Sequence, residues 1–278
     1  MSEPVASAKV APGLERYPFR VATTSYVHPC GYAENVELLA GWVEEVEVVL
    51  FEGSKEALPS EAEMETMAAV AKSASMRFHV HLPLNLRLGH PDRSEREASL
   101  RTLLRVAEWV RPLRPGFFVL HLEWDGPTLP GERDVRQWQR RVADSLRIVA
   151  KAGIDLRNCC VETLMYPPRW MTPVREEFGL PLCVDVGHML LTGGDPCGFF
   201  LRHFEQVRTV HLYGPEPDGR HASLDRLPET TMDSVMEILR GFHGVVSLEV
   251  FDFSDLKTSI ALLERAWRRQ KGERNLGK

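Results

Sequence analysis

PLCVDVGHML, residues 181–190, is apolar throughout except for Asp185 and His188. A short run of that kind fits a parallel strand covered by helices, because such strands read as almost continuous apolar stretches. A carboxylate within it is costly to bury unless it has a partner or opens to water. The strand must therefore end where polar chemistry collects.

Seven further runs have the same character: FRVATTSY (19–26), EVEVVLFE (45–52), RFHVHLP (77–83), GFFVLHLEW (116–124), NCCVETL (158–164), VRTVHLYG (207–214) and GVVSLEVFD (244–252). Amphipathic stretches lie between them. SEAEMETMAAVAKS opens with Ser60 and Glu63, a capping box. DRSEREASLRTLLRVAEWV starts at Asp92 with Leu100, Leu103, Leu104 and Ala107 on one stripe. Residues 131–152, 168–178, 197–205, 229–241 and 254–269 read as helices too. Eight strands alternating with eight helices predict an α/β fold, a single-domain (β/α)8 TIM barrel over 18–270, with a flexible leader at 1–17 and a polar tail at 271–278. The tripeptides VHL (80–82), LHL (120–122) and VHL (210–212) form a faint internal repeat.

The 278 residues suffice for one large core. A net charge of −5 weighs against a protein that grips a nucleic-acid backbone, so no nucleic-acid partner is expected. The five cysteines form no C-x-x-C pair and read as reduced thiols of a cytoplasmic protein. No apolar run reaches the ~20 residues of a membrane span, and the N-terminus has no export signal. GGDPCG (193–198) is too short for a phosphate loop, and neither G-x-G-x-x-G nor G-x-S-x-G occurs where it would matter.

Active sites of such barrels lie at the C-terminal strand ends. His81, His121, Glu162, Asp185, His211 and Glu249 are expected there, each one to three residues before its strand ends. Imidazoles and carboxylates gathered in a partly dry pocket suit divalent cations, here Zn2+, with Mn2+ or Fe2+ also compatible. His79 reads as a deeper core or supporting histidine, Glu123 as orienting a ligand, and Glu52 as closing the mouth or binding substrate. Arg87, Arg93 and Tyr213 are further candidate substrate contacts. His28, His90, His203 and His243 are expected at the surface. Trp124, Trp138 and Trp170 suit either an aromatic pocket or helix packing. Gly187 is expected to turn the chain outward, so that His188 points to a different metal or to substrate.

The order His81, His121, Glu162, Asp185-x-x-His188, His211, GRHASL with His221, and Glu249 resembles the metal-ligand series of class II AP endonucleases, over roughly 20–255. Those enzymes belong to the xylose-isomerase-like barrel superfamily. The resemblance implies that Glu162 bridges two metals. His81 and His121 would complete the first; Asp185, His211 and Glu249 the second. His188 and His221 would serve a third with an aspartate two residues before His221. That position is Gly219, preceded by Asp218, so the third site departs from the family pattern.

Within the superfamily, FRVATTSYVHPCGYAENVELLAGWVEEVEVVLFEG and HVHLPLNLRLG look most like cobamide-remodelling phosphodiesterases. That resemblance implies a metal-dependent phosphoric diester hydrolase acting on a corrinoid, with two or three metals per chain and Glu162, Glu249 and His188 as catalytic residues. The same barrel also suits a sugar or sugar-phosphate isomerase or epimerase, with Glu162 and Glu249 as acid and base. An abasic-site DNA endonuclease is the third alternative.

Overall fold

The computed structural model describes residues 17–270. The leader, apart from Tyr17, and the tail at 271–278 lie outside the described residues. The order is β1 (Arg20–Thr24), α1 (Tyr32–Leu39), β2 (Glu45–Val49), α2 (Glu61–Ala74), β3 (Arg77–His81), α3 (Arg93–Trp109), β4 (Phe118–Leu120), α4 (Glu132–Lys151) and β5 (Cys159–Glu162). It continues with α5 (Thr172–Phe178), β6 (Leu182–Asp185), α6 (Val186–Leu191), α7 (Pro196–Arg202) and β7 (Val207–Leu212). The small hairpin β8 (Gly214–Pro215) and β9 (His221–Ala222), then α8 (Glu229–Leu239), β10 (Val245–Leu248) and α9 (Phe253–Gln270), complete it. Strands β1 to β7 and β10 close into one parallel barrel in chain order, as the alternation of runs predicts.

Helix starts follow local chemistry. The Ser60 hydroxyl accepts from Glu63 N at 3.2 Å while the Glu63 carboxylate accepts from Ser60 N at 3.0 Å, which is the anticipated capping box. Asp92 accepts from Ser94 N at 2.8 Å and starts α3. On α4, Trp138, Val142, Leu146 and Val149 form the buried stripe.

The main apolar core lies between strands and helices, whereas the barrel interior holds a small separate cluster of Ala22, Phe117, Val119, Cys160, Cys183 and Val245. Much of the remaining interior is ionisable: Glu45, Glu47, His79, His81, Glu162, Asp185 and His211 are all buried. Since alternate strand residues face the same way, Glu45 and Glu47 share the inner face of β2.

Two boundaries differ from the sequence reading. His121 and Glu249 stand one residue beyond β4 and β10, because the chain leaves the sheet as it presents them to the mouth. An additional short helix, α6, begins directly after Asp185.

Candidate metal centre

His81 Nδ1 lies 2.9 Å from the Leu82 carbonyl, which can only accept, so Nδ1 carries the proton and Nε2 offers its lone pair. That Nε2 is 3.1 Å from Glu162 Oε2. His121 repeats the arrangement, with Nδ1 3.2 Å from Glu123 Oε1 and Nε2 3.0 Å from the same Glu162 oxygen. A lone pair held against a carboxylate is repulsive unless a proton or a cation stands between them. Glu123 thus occupies the orienting position expected of it.

The other side of Glu162 is equally crowded. Its Oε1 is 3.2 Å from His188 Nδ1, and His211 Nδ1 lies 3.6 Å from Oε2, 3.1 Å from Glu249 Oε2 and 3.8 Å from Asp185 Oδ2. Asp185 Oδ2, His211 Nδ1 and Glu249 Oε2 are buried and lack hydrogen-bond partners. Buried polar atoms are almost always satisfied, so three that face one another suit a shared positive centre. The residues fit a divalent cation. His81–His121–Glu162 and Asp185–His211–Glu249 each converge within 4.8 Å, and Glu162 also converges with Asp185 and His188 and lies 3.6 Å from His211.

Asp185 has two roles in one side chain. Its Oδ1 accepts from His188 N at 2.6 Å and caps α6, while Oδ2 faces the cluster. His188 therefore stays beside Asp185, with Nδ1 3.3 Å from Oδ2 and 3.2 Å from the Thr163 carbonyl, and its ring lies 6.2 Å from that of His221. Gly187 is required for space, not for a turn: a Cβ there would stand 2.3 Å from the Tyr213 ring.

Burial pulls His121 down, yet the Glu162 and Glu123 carboxylates raise it to about 10. Burial likewise opposes protonation of His188, and Asp185 and Glu162 lift it to about 9. Burial pushes Glu162 up, but His121 and His211 together hold it well below the usual carboxylate range. Asp185 is the exception, because desolvation outweighs His188 and leaves it raised. In the metal-free protein both His121 and His188 hold protons at pH 7, and ligation requires them neutral. Loading with Zn2+ at pH 7 is expected to release a proton from each, with affinity rising with pH through about 9 and 10. Calorimetry in two buffers of different ionisation enthalpy measures this, and a proton count of zero would remove both histidines from the ligand set.

The structure does not bring Asp218 to His221. Asp218 caps Arg220 N at 3.0 Å in the exposed β8–β9 turn, and Gly219 has φ of +84°, where an aspartate would be strained. His221 is fixed by Nδ1 on the Glu249 carbonyl at 3.0 Å and by stacking on Tyr213 at 3.7 Å. No third ligand group forms around His221 among the described residues. Tyr213 is fully buried, so it backs His221 and cannot meet substrate as expected. Arg93 pairs with Glu97 at 2.7 Å on the outer start of α3, with its side chain 83% exposed. Arg87 by contrast reaches Asp125 at 3.0 Å and Glu123 at 3.8 Å, beside His121. Glu52 is exposed just past β2, next to Phe51. Trp138 is buried and donates to the Glu123 carbonyl at 2.8 Å, while Trp124 packs on Trp170 at 4.9 Å; this aromatic group braces the loop that carries His121. Of the four histidines expected at the surface, His28, His90 and His203 are half-buried and His243 is exposed.

Sequence reading missed Glu45 and Glu47. Glu47 Oε1 is 3.1 Å from His211 Nε2, off the hydrogen-bonding line, and Glu47 Oε2 is 3.5 Å from His79 Nε2 and accepts from Ser247. His79 Nδ1 bonds Glu45 at 2.8 Å, and Glu45 pairs with Arg20 at 2.7 Å. A column of alternating charge thus descends from the metal centre through the barrel. The signal was legible: EVEVV alternates, and a strand of a closed parallel barrel has only an interior to receive its glutamates.

The profile of the family described as xylose isomerase-like TIM barrel matches residues 41–270. The chain belongs to that family. Among solved structures, a D-tagatose 3-epimerase-like protein superposes on this family member with a TM-score of 0.74 at 17% identity, covering 92% of this chain and 99% of its own. Endonuclease IV from Thermus thermophilus gives 0.65 at 19% identity over 90% and 99%. D-psicose 3-epimerase from Clostridium cellulolyticum gives 0.63 at 15% identity over 92% and 98%. No curated protein matches the sequence. Members of the xylose isomerase-like family are enzymes that bind divalent metals, and the described residues contain no helix long and apolar enough to cross a membrane.

Proposed function

We propose that this barrel is a cytoplasmic, metal-dependent phosphodiesterase that hydrolyses the nucleotide loop of cobamides. The observation that carries the reading is Glu162, whose Oε2 faces His81 and His121 at 3.1 and 3.0 Å while Asp185, His211 and Glu249 gather beside it. One carboxylate between two ligand groups is the arrangement of a two-cation centre. Bound divalent cations supply Lewis acidity toward phosphoryl oxygens and lower the pKa of water. The chain's own residues do the rest. His81 and His121 are oriented by their Nδ1 acceptors, and Glu162 offsets positive charge at the centre. Glu249 stands ready to take the proton of the attacking water. His188, at 19% side-chain exposure the most open imidazole of the cluster, faces the mouth as a neutral ligand, and the proton taken up by Glu249 passes to the leaving oxygen. Water adds across the bond between the aminopropanol arm and the α-ribazole phosphate, giving cobinamide and α-ribazole phosphate.

The mouth suits a broad, flat substrate. Phe51, Phe251 and Met165 are exposed on segments that follow β2, β10 and β5. Phe51 contacts Tyr26 and Phe251, and Phe251 contacts His221, so an aromatic arc runs along one side of the centre. Arg87 stands near the opposite side, where a phosphate or amide could meet it.

Incubating the metal-loaded protein with cobalamin and pseudocobalamin, reduced and oxidised, is expected to yield cobinamide by mass spectrometry. Intact substrate under every condition would overturn the cobamide assignment. One observation favours a second reading, a sugar epimerase. Asp185, His211 and Glu249 converge, with Glu162 3.6 Å from His211, which suits a one-metal site with two glutamates, and two of the three solved relatives named above carry epimerase names. Metal content separates the two: a phosphodiesterase centre binds two per chain and loses one in His81→Ala, whereas a one-metal epimerase is unaffected by that change. The acidic balance and Gly219 count against an abasic-site endonuclease, and cleavage of an abasic duplex at low salt would reverse that judgement.

A further inference from the structure

The end of the barrel opposite the metal centre carries a cavity of about 680 Å3 that the proposed chemistry does not use. Five cations line it, Arg20, Lys72, Arg77, Arg114 and Arg208, against one carboxylate, Glu45. Arg20 and Arg77 are the first residues of β1 and β3, so the cavity sits at the N-terminal strand ends. Arg20 is neutralised by Glu45 at 2.7 Å. Lys72, Arg77, Arg114 and Arg208 have no carboxylate within 4.0 Å among the described residues, and a further acid acting on this face, Glu44, is felt by Arg20 and Arg77 from beyond that distance.

Arg208 is held in place without being neutralised. It donates to Asn158 Oδ1 at 3.0 Å and to the Gly116 carbonyl at 2.8 Å, and its guanidinium lies 5.0 Å over the Phe117 ring. Those partners are uncharged, and Asp155, the acid that acts on it, lies beyond ion-pair distance and is paired with Arg157 at 2.9 Å, so much of the Arg208 charge remains available. Like charges converging on one concave surface repel each other, and an anion with several charges relieves that repulsion. The apolar remainder of the wall, including Ala71, Met76 and Leu113, suits an organic group. The volume falls within the ~300–1,000 Å3 typical of small-molecule sites, whereas a nucleic-acid backbone asks for an extended basic stripe.

We infer that this cavity binds a small organic polyanion of the nucleoside di- or triphosphate class, independently of the metal centre. The test is titration calorimetry of the full chain, stripped of metal, at low salt, with ATP and with inorganic triphosphate as probes and adenosine as the uncharged control. One saturable site for ATP and triphosphate is expected, with no binding of adenosine. The affinity should fall at least tenfold in the Arg77→Glu/Arg114→Glu variant and stay within twofold in His121→Ala. Both arginines are exposed, so the variant should fold. Hydrogen exchange of the unmodified protein gives a second measure, with protection by triphosphate expected over 111–117 and not over 121–131. No saturable binding, affinity indifferent to the charge reversal, or loss of binding in His121→Ala would each overturn the site.

Discussion

Glu162→Gln is expected to bring the metal content below two per chain and to lower turnover about a thousandfold, the equivalent of roughly 4 kcal/mol of lost electrostatic stabilisation. Glutamine keeps the shape of the side chain, so the fold should persist. What changes is the charge at the position where the proposed reading places a carboxylate between the two ligand groups. Glu162 lies within 3.2 Å of His81, His121 and His188, and 3.6 Å from His211. A neutral amide would hold divalent cations poorly in place of the carboxylate, and its NH2 group would turn toward imidazole lone pairs that ligation would need free. Elemental analysis and steady-state kinetics on cobamide measure the two effects. A variant that keeps two metals and turns over within tenfold of the unmodified protein would show that Glu162 does not bridge.

Glu47→Ala is expected to have the largest effect on stability, about 3 kcal/mol in the metal-free protein, because it takes a fully buried counter-charge from two imidazoles and leaves His79 only Glu45 and His211 only the carboxylates on its other side. Glu47 is fully buried between His79 and His211. Burial raises the Glu47 carboxyl, and those two imidazoles more than reverse this and hold it well below its usual range. Burial lowers His79, and Glu47 and Glu45 raise it to about 9. The sign of the pH dependence follows. The Glu47 contribution is present above the ordinary carboxylate value of 4.5 and lost as pH falls from there. The His79 contribution is present below the ordinary imidazole value of 6.5 and lost as pH rises through about 9. The difference between the unmodified protein and Glu47→Ala in urea unfolding should therefore peak between about pH 4.5 and 6.5 and narrow on both sides. Metal affinity should drop about 10–100-fold as well, since His211 loses the carboxylate behind its ring. A stability loss below about 1 kcal/mol, or one independent of pH, would show that Glu47 is not the counter-charge.

The barrel was legible in the order of the runs. Each strand is buried on both sides and must be apolar along most of its length, so eight such runs separated by amphipathic helices leave few other architectures. His81, His121, Glu162, Asp185, His211 and Glu249 were legible for the same reason, because a polar residue at the end of a buried strand has only the mouth to face. What strand periodicity hides is depth. Glu45 and Glu47 share the inner face of β2 with no sign of how far below the mouth they sit, and only the barrel's closure sets them against His79 and His211.

The hinge of PLCVDVGHML shows the same division in one place. Its residues determined a buried strand ending in a carboxylate with an imidazole three positions on. The tertiary structure decided that Asp185 caps α6 with one oxygen and faces the cluster with the other, and that Gly187 is there to clear Tyr213. The physical reason is range. Burial and alternation act between residues close in sequence, whereas the partners of Asp185 and Glu162 come from strands up to 81 positions away and meet only when the sheet closes.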